Sequence, residues 1–303
     1  MTSMAERIPL GDSGIGIAPM GWGLWRFAGA ERAQARARVD AALDSGYTLF
    51  DVADVYGFDG RDGFGAAESL LGDVLRADAS LRSRMVLASK AGVRPPVPYD
   101  SRASYLVGAC EASLRRLGTE RLDLFFIHRP DLLAHPQEMA EALDRLRASG
   151  KIRAAGVSNF SAPQTAALAA CLPFTLASVQ IEFSPVAVSA LQDGVLDLAM
   201  AQRLGVLAWS PLGQGRLMHA TAMPDDARLD AVRAELDRIG ARQGVSRDVA
   251  AYAWIMCHPS RAVPLVGSQD PVRIRAAVAA CKVPIERGDW YRVLEAALGH
   301  RMP

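Results

Sequence analysis

Four apolar runs in this chain end on a polar residue: TLFD on Asp51, LASK on Lys90, FFIH on His128 and SVQ on Gln180. Tyr56 follows Asp51 by five positions in DVADVYG, close enough for a loop to fold its phenol back over the carboxylate. Singly these residues have ordinary readings: an Asp caps, a Lys ends a strand in solvent, a His beside an apolar run sits satisfied in the core. Together they could do acid–base chemistry. A tyrosine with a pKa of about 10 exchanges protons slowly at neutral pH without help. A buried ammonium from Lys90 would favour the phenolate, and Asp51 would hold that ammonium and offset its desolvation. Tyr56 is then expected to be a general acid toward a carbonyl oxygen, with His128 aiming a ring N–H at the same oxygen as an oxyanion donor. No metal is needed for this. Cys110, Cys171, Cys257 and Cys281 are scattered, with no CxxC pair and no His at ligand spacing, so neither zinc nor a disulfide framework is expected.

Residues so far apart in sequence need a scaffold that gathers strand ends. Short apolar or β-branched runs at 17–20, 48–51, 85–89, 124–127, 154–157, 178–180, 206–208 and 263–265 read as eight strands. Helical periodicity between them covers 30–44, 66–75, 102–117, 136–148, 162–170, 191–203 and 272–280. This rhythm, with strands apolar on both faces, predicts a parallel sheet closed as a (β/α)8 TIM barrel. A hairpin turning at residues 11–13 precedes it, and extra helices are expected at 226–243, 247–257 and 289–298. No Gly-, Pro- or Ser-rich linker or repeat divides residues 1–303, which predicts a single domain. The first βα junction, MGWGLWRFAG, lacks the GxGxxG of a doubly wound dinucleotide fold.

Composition closes off other classes. Half of the 303 residues are hydrophobic and 22% are charged, enough for a large core. With 34 Lys+Arg against 33 Asp+Glu, the formal charge of +1 provides no field for nucleic acid or an anionic membrane. The N-terminal MTSMAERIPLGDSG has no signal-peptide pattern, no long apolar stretch follows, and the four thiols suit a reducing compartment. A cytoplasmic monomer or weak oligomer is expected.

The landmarks MGWGLW, LFDVADVYG with GAAESLLG, VLASKAG, LDLFFIHRPD, GKIRAAGVSNF, VQIEFSP, LAWSPLGQGRL and PLVGSQDPVRIRAA run in order along the chain. In this it resembles the aldo-keto reductase family, and the IHRPD and LPFTLASVQIEFSP wording is similar to a bacterial oxidoreductase subgroup. The resemblance implies a catalytic tetrad of Asp51, Tyr56, Lys90 and His128 and hydride transfer from a nicotinamide dinucleotide to a small-molecule carbonyl. It further implies that Ser158, Asn159 and Gln180 bind the carboxamide and that Trp209 stacks on the nicotinamide. Gly23, Leu24 and Trp25 would lie near that ring. The segment Ser210 to Leu217, with Pro211, Leu212, Gly213 and Gly215, would fold over the pyrophosphate. Ser268 and Arg273 would reach the adenosine 2′-phosphate, with Gly267 beside them in the cofactor site, which implies NADPH rather than NADH. The family often follows that Arg with Glu-Asn where Ala276 and Ala277 stand here, so adenine contacts would differ. Trp25, Phe58 and Arg129 are the expected substrate pocket, within an aromatic mouth that could also draw on Trp22, Phe27 and Phe64, and FDGRDGFG after Tyr56 could form a lid. Potassium-channel β subunits also belong to the family, so the alternative is an NADPH-binding redox sensor or regulatory subunit with slow turnover.

Overall fold

The computed structural model describes residues 2–218 and 227–303. Eight parallel strands close into a barrel in the order β10-β3-β4-β5-β6-β7-β8-β9. They are β3 (Gly21–Gly23), β4 (Leu49–Asp51), β5 (Val86–Ala91), β6 (Leu122–Ile127), β7 (Ile152–Ser158), β8 (Ser178–Glu182), β9 (Gly205–Trp209) and β10 (Val263–Val266). Ahead of them, β1 (Ile8–Pro9) and β2 (Gly16–Ile17) pair antiparallel as a hairpin. Ile8, Leu10, Ile15 and Ile17 of the hairpin share one apolar cluster with Leu49, Ala88, Leu124, Ala154, Leu207 and Val263. The hairpin therefore plugs the N-terminal end of the barrel and leaves the C-terminal mouth as the open end.

Helices α1 (Arg32–Asp44), α2 (Ala66–Ala77), α3 (Ala103–Leu117), α4 (Pro136–Ala148), α5 (Ala162–Cys171), α6 (Val195–Ala201) and α9 (Pro271–Ala277) alternate with the strands. Local chemistry sets their starts. Ser161 and Gln164 form a reciprocal capping box at α5, and Asp270 accepts from Val272 N ahead of Pro271 at α9. The additions are α7 (Ala227–Gln243), α8 (Arg247–Met256) and α10 (Arg287–Leu298); Asp226, the expected first residue of α7, lies outside the described residues. Trp254 and Trp290 stack at 5.0 Å and 6° between α8 and α10, each indole N–H donating to the other residue's carbonyl. Asp289, fully buried, collects Arg238, Arg242 and Arg292.

One strand assignment needs correction. The run at 17–20 is not the first barrel strand: Ile17 belongs to the hairpin, and the barrel begins with Gly-Trp-Gly at β3. Packing explains the glycine. A Cβ on Gly21 would come within 2.7 Å of a Leu265 methyl and 3.0 Å of one from Leu49, so the two neighbouring strands fill the space that a strand-forming side chain would occupy. The helix expected at 191–203 is also shorter, with a 3-10 turn at Ser189–Leu191 before α6.

Candidate active site

Side chains alternate between the two faces of a strand, which decides which residues enter the barrel. Leu49, Ala88, Phe126 and Leu207 pack in its lower part; two positions further on the same lines stand Asp51, Lys90, His128 and Trp209. The core pattern thus delivers these polar groups to the mouth. The inward line of β7 also passes through Gly156, where a Cβ would meet the Phe126 ring at 2.4 Å. Bare backbone here makes room for the phenyl ring beneath His128.

Lys90 is 0% exposed. Its Nζ donates to Asp51 Oδ2 at 2.7 Å and to Val52 O at 3.0 Å, while Gln180 Nε2 donates to Asp51 Oδ1 at 3.0 Å. The carboxylate is therefore fixed from two sides, and the ammonium lies 4.9 Å from the centroid of the Tyr56 ring. His128 faces Tyr56 with ring centroids 5.8 Å apart at 75°, and Trp25 meets it edge-on at 5.0 Å and 82°. Asp51, Tyr56, Lys90, His128 and Gln180 thus converge on one point of the mouth, joined by Trp25.

The electrostatics differ from the sequence expectation in one respect. Burial raises the Tyr56 phenol above its ordinary value of 10, and the opposing pull of Lys90 does not overcome it. The phenol is a fully protonated donor at neutral pH rather than one already acidified. For Lys90, burial disfavours the charge, but Asp51 and Tyr56 outweigh it and the ammonium is held above 10.5. His128 is pushed well below 6.5 by burial, then by the charges of Lys90 and Arg129. It is a neutral imidazole, and its Nδ1 is buried with no partner in the protein.

Asn159 ties three strand ends together from a left-handed backbone with φ 62°. Its Nδ2 donates to His128 O at 3.0 Å and to Ser158 Oγ at 2.9 Å, and its Oδ1 accepts from Trp209 Nε1 at 3.0 Å. Arg129 lies over the Trp209 ring, its guanidinium 5.8 Å from the centroid. The turn after Trp209 is built on Ser210 (φ 48°), whose carbonyl accepts from Gly213 N, and on Leu212, whose carbonyl accepts from Gly215 N; Pro211 is buried beneath it. Across the mouth, Leu24 N donates to Asp51 O at 2.9 Å. Gly267 has open space where a Cβ would stand, Ser268 Oγ accepts from Asp270 N, and the Arg273 side chain is 68% exposed with Asp270 3.8 Å away.

Other expected residues go elsewhere. Trp22 and Phe27 are fully buried, and Trp22 packs edge-on against Phe27 and Phe50 while donating to Ser268 O. They support the mouth instead of lining it. Phe58 pairs with Phe64 at 6.2 Å, and among the described residues no ring contact joins it to Tyr56, Trp25 or His128. Sequence reasoning missed Gln269, whose Nε2 donates to Gly23 O at 3.1 Å and whose buried Oε1 has no partner. Nothing in VGSQDP marks it, because its importance comes from the first strand lying beside the last.

Among the described residues no group of three or more His, Cys, Asp or Glu could hold a metal ion, and no helix is long and apolar enough to cross a membrane. A closed parallel barrel with titratable groups gathered at its C-terminal mouth has the form of a barrel enzyme. The profile of the Aldo/keto reductase family matches residues 19–297, and the chain belongs to that family, whose members are oxidoreductases acting on carbonyl groups. It is 52% identical to the 6-dehydroglucose reductase of Novosphingobium aromaticivorans over 97% of this chain and 96% of that protein. A 6-dehydroglucose reductase of Agrobacterium fabrum is 35% identical, over 97% and 98% of the two chains. Oxidoreductase YdhF of Escherichia coli is 36% identical, over 99% and 100%. These likenesses bear out the bacterial subgroup read from the sequence.

Proposed function

We propose that this chain is an NADPH-dependent reductase whose substrate is 6-dehydroglucose, glucose oxidised to the aldehyde at C6, with Tyr56 as proton donor. The observation that carries the reading is the buried Lys90–Asp51 pair set against the Tyr56 ring, with a neutral His128 opposite. The substrate comes from the 52% identical relative.

The mouth fits a nicotinamide dinucleotide. The orphaned Gln269 Oε1, the clearance at Gly267 and the exposed Arg273, whose contact with Asp270 is a long 3.8 Å, are polar or open features that suit a ligand. Ser158, Asn159 and Gln180 would hold the carboxamide, Trp209 the ring face, the turn containing Gly213 and Gly215 the pyrophosphate, and Ser268 with Arg273 the 2′-phosphate. Gly23 and Leu24 would border the ring. When bound, the cofactor supplies the hydride that adds to the carbonyl carbon. Tyr56 gives its proton to the oxygen as negative charge builds there, and Lys90 stabilises the phenolate left behind. His128 donates its one N–H to the same oxygen. Trp25, 62% exposed beside Tyr56, offers a flat face to the sugar ring, and Arg129 a donor to its hydroxyls; Phe58 would serve the outer wall.

Steady-state reduction of 6-dehydroglucose with NADPH and NADH in parallel tests the reading. Multiple turnovers with a preference for NADPH are expected, and Arg273→Ala should raise KM for NADPH about tenfold while leaving that for NADH within about twofold. Equal use of both cofactors, unchanged by Arg273→Ala, would remove the 2′-phosphate assignment. A single stoichiometric oxidation without cycling would favour a redox sensor.

A further inference from the structure

Behind the Tyr56 loop, on the outer wall of the barrel, a cleft of about 310 Å³ is lined by Asp54, Phe64, Tyr105, Gly108, Ala112 and Arg116. It lies between the β4–α2 loop and α3, where small residues keep the helix face low. Asp54 is 0% exposed, and neither Oδ1 nor Oδ2 has a hydrogen-bond partner. A buried carboxyl left this way is costly, and native proteins rarely leave one without a reason.

Neighbouring charges do not supply the missing partner. Arg116 Nε is bonded to the buried Glu68 Oε2 at 2.7 Å, and Glu68 also accepts from Ser89 Oγ. Lys90 is committed to Asp51, and Arg94, which lies over the Tyr105 ring, to Asp100 at 2.6 Å. With Arg116 bonded to Glu68 and Lys90 to Asp51, the Asp54 carboxyl has no cation bonded to it. An anion would find Arg116 on the lining but would have to lie against the Asp54 carboxyl as well. A neutral alcohol could donate to Asp54 but would bring no charge to it. An ammonium offers three donors and the opposite charge, and the half-exposed Phe64 ring at the entrance suits both a cation and an apolar body.

We propose that this cleft is a second binding site, distinct from the mouth of the barrel, for a small organic cation that sets an ammonium on Asp54 and its apolar body against Phe64 and the Gly108–Ala112 face of α3. Burial and Glu68 push the Asp54 carboxyl well above the carboxylate range, so an arriving ammonium displaces a proton and binding strengthens as pH rises. Tyr105, pushed up to about 12 by burial and Asp54, stays a neutral donor throughout.

The experiment is calorimetric titration of the full chain with benzylamine, with benzyl alcohol as the uncharged isostere, at pH 6 and pH 8. Benzylamine is expected to bind at one site, at least tenfold more tightly than benzyl alcohol and more tightly at pH 8. Asp54→Asn should weaken it at least tenfold. Gly108→Leu should abolish it by filling the cleft, since a Cβ at Gly108 meets nothing within 4 Å. Near-ultraviolet circular dichroism checks that both variants are folded. Equal binding of the two probes, no binding of benzylamine, or affinity unchanged by both substitutions would overturn the proposal.

Discussion

Tyr56 and His128 have shifts of opposite sign, and together they fix how the rate should depend on pH. His128 is depressed well below 6.5, so it is neutral throughout the working range and contributes no ionisation near that value. Tyr56 is raised above 10, and in the proposed reduction it must be protonated to act, so its contribution would be present at neutral pH and lost only as pH climbs through the raised value. The kcat for reduction should therefore be flat from about pH 6 to about pH 9 and fall beyond about pH 10. An acidic limb centred near 6.5 that disappears in His128→Gln would contradict this assignment. The convergence of Asp51, Tyr56, Lys90, His128 and Gln180 was legible in the sequence because four of them close apolar runs and Tyr56 follows Asp51 by five positions. Gln269 was not legible, nor was the net rise at Tyr56. Both depend on how tightly elements distant in sequence enclose a group.

At the scale of elements, period-two alternation carries the core line of each strand up to a polar tip, and the shapes lower on that line must fit one another. Gly156→Val would drive a side chain into the Phe126 ring and toward Ser178 O. The expected cost is about 2–3 kcal/mol, read by chemical denaturation, with His128 displaced and kcat lowered as well. Unchanged stability would mean that the interior is looser than its packing indicates. Most strands and helices could be read from hydrophobic periodicity, sometimes shifted by a residue or two. The first barrel strand could not, because two of the three residues of Gly-Trp-Gly are glycines with no side chain to mark a strand, while the apolar run before it begins in the hairpin. Asp54 gives this scale a second test. Its folded-state carboxyl is raised, so the folded protein is penalised as pH rises above the unfolded value of 3.8. Asp54→Asn should gain thermal stability over the parent between pH 5 and pH 8, with the difference closing as pH falls toward 4 (on the order of the unfolded pKa). A gap that does not vary with pH would show that the carboxyl does not titrate there.

Across the whole molecule, the hairpin closes one end of the barrel, the mouth collects the polar strand ends, and α7, α8 and α10 add a second layer, with α7 fastened to α10 at Asp289 and α8 to α10 by Trp254 and Trp290. Burial alone would raise the Asp289 carboxyl, but Arg238, Arg242 and Arg292 hold it at about 2. Its folded pKa is depressed, so its stabilisation is present above the unfolded value of 3.8 and is lost as pH falls through about 2. Asp289→Asn should cost on the order of 2 kcal/mol at pH 7 and much less below pH 2, measured by denaturant titration at both pH values. The most direct measurement of the account as a whole is single-turnover oxidation of NADPH by 6-dehydroglucose in the parent protein and in Tyr56→Phe, with cofactor affinity followed by tryptophan fluorescence. A loss of at least about a hundredfold in the chemical rate, with NADPH bound within about twofold of the parent affinity, is predicted. Tyr56→Phe protein that reduces the aldehyde at the parent rate would contradict it.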